Sequence, residues 1–279
     1  MIMNNNFLIG GDPEFPLYNN VLNEFISFEQ YIKGTKTDPE KIEVKGCFQQ
    51  LDCTGIEFTL PPAPEYWMYK TLIDNCIVYT NDWLSKINEN LHIVVTSSCE
   101  YSQDQLQSES ARTFGCEPSY SVYRNGISDR PDPDSISFRS FGYHLHYGFD
   151  REYNKGELRS FMVLNDIFLG FPSIWKDLDS RRRKIYGNLS DHRIISKEKD
   201  YSKIQSSNRV EYRVLGAGIH NHPEFIENGI SLIKSNIHRM DDLVDYYYSD
   251  LKEIDSSNYD NDLCNELKDL MIKNNHFNG

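Results

Sequence analysis

Residues 138–148 read FRSFGYHLHYG, an alternating run that closes on glycine and sets His144 and His146 two positions apart. Period-two alternation marks a strand with one apolar and one polar face. Side chains at i and i+2 share a face roughly 7 Å apart, so both imidazoles point either into one cavity or onto one solvated surface. A chain built on such strands must cover their apolar side with a second layer.

Other runs carry the same anomaly, a charged residue in an apolar strand-like setting. Asp12 and Glu14 follow the apolar FLIGG at 7–11, within GGDPEF, and Glu57 stands between Ile56 and Phe58 in IEFTLPPAP. Glu117 follows FGC, and Glu211 and Arg213 flank Tyr212 in VEYRVL. Each acid taken alone has a plain reading, an edge-strand residue facing water or, for Asp12, a turn former beside Pro13. Together, buried around one hollow, they would repel unless cations neutralised them. Divalent metal is the natural remedy, and oxygen ligands with one imidazole favour Mg2+ or Mn2+ over zinc.

A basic cluster lies further on. KDLDSRRRKIYGNLSDHRI, residues 176–194, holds Arg181, Arg182 and Arg183 in a row and Arg193 after a glycine-containing loop. Arginine forks bind phosphate and carboxylate oxygens bidentately, although an RRRK run is also a common solvated surface. Beside a metal and carboxylate cluster, fixed cations are what a triphosphate requires.

The surrounding pattern predicts alternating strands and helices. FLIGG and IEFTLPPAP read as strands, the second halted by prolines, and residues 19–34, NNVLNEFISFEQYIKG, show apolar residues at roughly helical spacing. A long helix is expected after Pro64, a strand at 92–96, a loop from Ser97 to Pro133 and a strand at 136–149. Helix follows from about Lys155 to Leu169, strand at 210–215, and a mainly helical part from about residue 223, opened by Pro223. The 279 residues carry no internal repeat and no linker, so residues 1–279 are read as a single α+β domain.

Composition limits the partners. A net charge of -13 excludes the broad basic footprint that duplex nucleic acid binding needs. The six cysteines have no CxxC spacing, which suggests reduced thiols in a cytosol. Neither a leader peptide nor a stretch approaching the ~20 apolar residues of a membrane span is visible, so a soluble cytoplasmic protein without membrane partners is expected. An oligomer stays open.

The ordered series GGDPEF, IEFTLPPAP, FGCEP, FGYHLHYG, FLGFPSIWKDLDSRRRKIYG and VEYRVL resembles the phage-associated COOH.NH2 ligase type 2 family. These are amidoligases of the glutamine synthetase-like carboxylate–amine ligase superfamily, and the similarity runs from about residue 7 to 216. The resemblance implies a glutamine synthetase-like catalytic domain, a curved antiparallel sheet (half-barrel) with helices on its outer face. It implies an ATP- and Mg2+-dependent ligase that joins a small-molecule or peptide carboxylate to an amine through an acyl phosphate, in host cytoplasm if phage-encoded. By motif position, Asp12, Glu14, Glu57, Glu117, His144 and Glu211 match metal ligands. Arg182, Arg183 and Arg193 match the basic residues that contact phosphates, and Glu211 and Arg213 the final acid and arginine pair; the site this implies has Arg182, Arg183, Arg213 and Glu57 as catalytic residues, with His146 beside the nucleotide orienting its neighbours. The sequence departs from the family in GNLSDHR, which lacks a lysine beside its glycine, and in GAGIHNH, which replaces an aromatic pair. Two rival expectations stand beside it: a metal-dependent hydrolase using His144, His146 and the acids, and a non-catalytic phage or host interaction protein on a degenerate ligase scaffold.

Overall fold

In the computed structural model, residues 3, 6–113, 119–124, 126–127, 132, 135–255, 257–258 and 261–277 are described. Its centre is a ten-stranded sheet in which every pairing is antiparallel. In chain order its strands are β1 (Phe7–Gly11), β2 (Glu14–Phe15), β3 (Glu40–Lys41), β4 (Phe48–Asp52), β5 (Gly55–Ala63), β6 (Tyr120–Ser121), β7 (Gly126–Ile127), β8 (Leu145–Asn154), β9 (His192–Ile194) and β10 (Ser206–Tyr212). They lie in the order β7, β6, β9, β10, β8, β1, β5, β4, β3, with β2 beside β5. The described strands form an open sheet and no closed barrel.

The main helices are α1 (Tyr66–Ile87), α2 (Lys155–Asn165), the short α3 (Ser180–Ile185), α4 (Pro223–Asn236), α5 (Met240–Glu253) and α6 (Asp262–Lys273); α1 and α2 pack on one face of the sheet, and α4 and α5 pack against them. The architecture is therefore α+β, and the C-terminal part from Pro223 is helical as the sequence predicts. The alternation of β8 decides which face is which: Leu145, Tyr147 and Phe149 are buried, whereas His146 is half-buried and Asp150 exposed. Phe161 of α2 meets Tyr147, Phe149 and Phe7 edge to face, with ring centroids 5.0, 5.3 and 5.7 Å apart. Such aromatic packing fixes the helix against the sheet. Asn154 opens α2 with a reciprocal capping box to Glu157.

Several expectations are corrected. Residues 19–34 contain no α-helix: Leu17–Asn19 and Glu24–Ile26 pair as a hairpin, and only a 3-10 turn, Phe28–Gln30, follows. The reason is local. The Asn19 carboxamide oxygen accepts from the amides of Val21 and Leu22, and Asn23 takes a positive φ of 55°, which is turn chemistry that leaves Val21 and Leu22 exposed. β5 runs through Pro61 and Pro62 rather than stopping at them. The expected strand at 136–149 is two pieces, Phe138–Ser140 and β8. The expected loop from Ser97 to Pro133 holds, among its described residues, several short strands and helical turns. No described helix is long and apolar enough to cross a membrane.

α2 continues into a wide π-helical turn, Asp166–Gly170, which turns Asp166 into the core. There Asp166 accepts from Tyr212 Oη at 2.6 Å, Tyr123 Oη at 2.7 Å and the Ser190 amide at 3.0 Å. Burial outweighs these donors and pushes its carboxyl up to about 7. The folded protein thus holds this proton more tightly than the unfolded chain, where Asp titrates near ~4. The stability linked to it is complete below that value and is lost as pH rises through about 7, a loss of at most roughly 4 kcal/mol. Urea unfolding at pH 5 and pH 8 should show this slope in the native protein and not in Asp166→Asn; parallel slopes would refute the assignment.

Candidate metal centre

The helix-free face carries two rows of side chains set by strand register. In the first, Gly10 of β1 pairs with His146 of β8, His146 with Glu211 of β10, and Glu211 with Arg193 of β9. In the second, Glu14 of β2 pairs with Glu57 of β5, and Glu57 with Gln50 of β4. Asp12 and His144 lie at the strand ends where the rows meet.

Around the first row, Asp12 Oδ1 is 3.1 Å from His144 Nδ1 and 3.3 Å from His146 Nε2. The two imidazoles therefore share a face and a partner, as their spacing predicts. Glu211 reaches both rings, at 3.5 Å from His144 Nδ1 and 3.9 Å from His146 Nε2. It is fully buried and is held by Arg213 Nε at 2.9 Å and by Arg193 Nη2 at 2.7 Å. Arg213 also donates to Ser119 Oγ at 3.1 Å. Desolvation opposes ionisation of Glu211, yet the Arg213 charge holds its carboxyl below the usual range. The same contest at Asp12 is won by His146 and His144, whose charges hold it well below that range, while Asp12 in turn raises His146 against its own desolvation.

Around the second row, ligand atoms of Glu14, Asp52 and Glu57 lie within 4.8 Å of one another, as do those of Asp12, His144 and Glu211. Lys36 Nζ is 3.1 Å from Asp52 and 3.7 Å from Glu57, and Gln50 donates to Glu57. The Gly142 amide donates to Glu14 Oε2 at 2.7 Å. Burial raises Glu14 and, with the charges of Asp12 and Asp52 added, raises Glu57 well above the carboxylate range. His144 links the rows: a Cβ on Gly142 would sit 2.2 Å from His144 Nε2, and that buried nitrogen has no hydrogen-bond partner among the described residues. Three carboxyl groups with oxygen donors this close, two of them holding their protons above the usual range, fit a hard divalent cation that would displace those protons.

The arginines divide. Arg193 borders a cavity of about 480 Å³ that also contains His146, Lys199, Tyr201 and Arg209. A second cavity, of about 810 Å³, shares His146 and Arg209 and extends along Gly10, Leu60 and Pro62. Arg182 and Arg183 face inward instead. Arg182 Nη1 and Nη2 donate to the carbonyls of Val214 and Arg213 at 2.7 and 3.0 Å, and Arg183 Nη2 donates to the Asp177 carbonyl at 2.8 Å. Arg182 stays near the site through Tyr186, whose ring lies 5.1 Å from its guanidinium, 5.0 Å from that of Arg213 and 5.8 Å from His144. Arg181 is turned outward to Asp179 and Glu100. Glu117 lies outside the described residues.

Asp52, Gln50, Lys36 and Arg209 were not among the residues singled out from the sequence. Asp52 and Gln50 alternate on β4 just before a tight hairpin, Cys53–Thr54, whose register sets Gln50 opposite Glu57; the DCTG turn is the signal that pointed there. Comparison with protein-family models and with curated proteins finds no match.

Proposed function

We propose that the protein is an ATP- and Mg2+- or Mn2+-dependent carboxylate–amine ligase on a glutamine synthetase-like half-barrel, its helices packed on the outer face. The observation that carries this reading is the pair of adjoining ligand clusters on one sheet face, Asp12–His144–Glu211 and Glu14–Asp52–Glu57. Two divalent ions, one held by Asp12, His144 and Glu211 and the other by Glu14, Asp52 and Glu57, would offset polyphosphate charge and polarise the phosphoryl group. His146 and Arg193, which line one cavity with Arg209, would contact the polyphosphate. The substrate carboxylate oxygen attacks the γ-phosphorus and the bond to ADP breaks; an amine then attacks the acyl carbon, phosphate leaves, and the amine nitrogen gives up its proton to solvent or to the departing phosphate. Arg213 holds Glu211 charged and in place as a ligand, and Arg182 and Arg183 keep the wall behind it in place.

A second reading, a metal-dependent hydrolase, is favoured by the two imidazoles meeting at one Asp12 oxygen and by the commitment of Arg182 and Arg183 to backbone carbonyls. Incubation with ATP, Mg2+, pooled carboxylic acids and amines separates the two. The ligase reading expects ADP and amide in equal amounts; AMP with pyrophosphate excludes the acyl-phosphate route, and substrate cleavage without ATP selects the hydrolase. No turnover with any pool, together with an intact biological role in Glu14→Ala, selects the interaction protein.

A further inference from the structure

On the helix-free face, beside the metal centre, two strand glycines lack a structural reason. Gly10 of β1 and Gly148 of β8 are diagonal neighbours, since Gly10 pairs with His146 and Leu8 with Gly148. Glycine inside a strand costs stability relative to alanine, so its presence there calls for a turn, a bulge or a close approach to the backbone. Neither glycine takes a positive φ. The register irregularities next to them place their extra residues elsewhere, at Pro61 and Pro62 of β5 and beyond Gly148 in β8. Packing does not demand them either. Among the described residues, a Cβ on Gly148 would meet only Leu8 Cβ, at 3.9 Å, and one on Gly10 would meet nothing closer than Pro62 Cα at 3.7 Å. The remaining reason is a ligand that lies on the backbone.

Both glycines line the cavity of about 810 Å³, whose apolar walls include Leu8, Leu60 and Pro62. Leu8, a large apolar side chain, is left 43% exposed there. Diagonal positions on paired strands are ~7 Å apart, the span of one aromatic ring, and a flat ring is the group that can rest on two bare stretches of backbone between Leu8 and His146. The polar groups define the rest of the ligand. Arg209, which pairs with Gly148, forms no ion pair and no side-chain hydrogen bond among the described residues. Lys234, the other cation of this cavity apart from the histidine, is matched by Glu65 at 3.2 Å, and Asp150 lies four residues along β8 from His146. Arg209 and His146 are shared with the cavity of about 480 Å³, which adds Arg193 and Lys199 and so suits a polyphosphate. The larger cavity keeps one unpaired guanidinium at that shared boundary, the complement of one carboxylate.

We propose that this cavity binds an aryl carboxylic acid, the acid substrate of the ligase reaction: its ring lies on Gly10 and Gly148, and its carboxylate faces Arg209 and His146. The substrate role rests on the ligase reading; the binding does not, and it is measured without ATP. The probes are phenylacetate, 3-phenylpropanoate and indole-3-acetate, with butanoate and 3-phenylpropan-1-ol as controls that lack the ring or the charge. Isothermal titration calorimetry compares the native chain with Gly148→Val and Arg209→Gln, and thermal unfolding of each is followed without ligand. The native chain should bind at least one aryl acid, and bind it more tightly than either control. Gly148→Val should weaken that binding about tenfold or more while its melting temperature stays or rises, because valine suits a strand and fills open space. Arg209→Gln should weaken it about tenfold, the scale of one hydrogen bond to a charged group, and leave the alcohol control unchanged. No binding by the native chain, equal affinity in either variant, or a melting temperature lowered by the valine would overturn the proposal, the last because the glycine would then serve the fold. Displacement of the bound acid by adenosine would assign the cavity to the nucleoside and overturn it as well. Aryl acid binding that persists, with no ADP formed when ATP, Mg2+ and amines are added, would overturn the ligase reading and leave the binding site standing.

Discussion

Replacing Glu211 with alanine is expected to destabilise the fold by about 3–5 kcal/mol, because it takes a buried carboxylate away from the buried Arg213 guanidinium. Arg213 is 1% exposed, and its Nε lies 2.9 Å from Glu211 Oε1. Arg193 loses its 2.7 Å contact as well, but it is 30% exposed and can turn to water. The burden therefore falls on Arg213, and the fold shares it because the Arg213 amide donates to the Asp191 carbonyl at 2.9 Å. A paired replacement separates folding from chemistry. Glu211→Leu with Arg213→Met should recover most of the lost stability, since apolar residues of similar size replace a buried pair at little cost. The same double variant should bind no ion at the Asp12 centre and turn over no nucleotide. Urea unfolding of the native, single and double variants measures this; equal stability of the single and double variants would mean that the Arg213–Glu211 pair is not the source of the loss.

This dependence also shows where sequence reading reaches and where it stops. His144 and His146 were legible because period two is a property of any strand, and the same rule put Glu211 and Arg213 in an alternating run. The rows they join were not legible, because Gly10, His146, Glu211 and Arg193 come from four strands whose register is fixed by long-range pairing. Lys36 lies in a segment with no period at all, and only the return of the chain beside Asp52 and Glu57 gives it a role. The arginine run misled about direction rather than presence. A six-residue helix, α3, sends consecutive side chains about 100° apart, so Arg181 faces Asp179 while Arg182 and Arg183 turn inward. Residues 19–34 misled because Val21, Leu22, Phe25, Ile26 and Phe28, at roughly helical spacing, outweighed three asparagines, Asn19, Asn20 and Asn23, that favour turns. Asp166 carried no signal, since it looks like an ordinary helix residue until the π-helical turn defines its surroundings.

Glu57→Gln tests the other centre, and its two expected effects have opposite signs. In the protein without metal, Glu57 is 5% exposed and shares its space with Glu14 and Asp52, so at a pH above its raised range, where its proton is lost, removing one like charge should raise stability. With divalent metal the order reverses. A bound ion stabilises the native protein by about 2.7 kcal/mol at one hundred times its dissociation constant, and the variant, with two carboxylates in place of three, should lose most of that gain. Burial and the neighbouring Asp12 and Asp52 charges hold the Glu57 proton well above the usual range, so an entering cation must displace it. Apparent Mg2+ affinity of the native protein should therefore fall as pH is lowered through that raised range, and the Gln variant should lack this dependence. Nucleotide turnover, if it runs through an ion held here, should drop by on the order of 100-fold or more, the scale of losing one preorganised charge in a transition state. Thermal unfolding with Mg2+ and with chelator, at two pH values, reads both signs together. A variant that is less stable without metal, or that keeps the full response to Mg2+, would show that Glu14, Asp52 and Glu57 are brought together for a reason other than a cation.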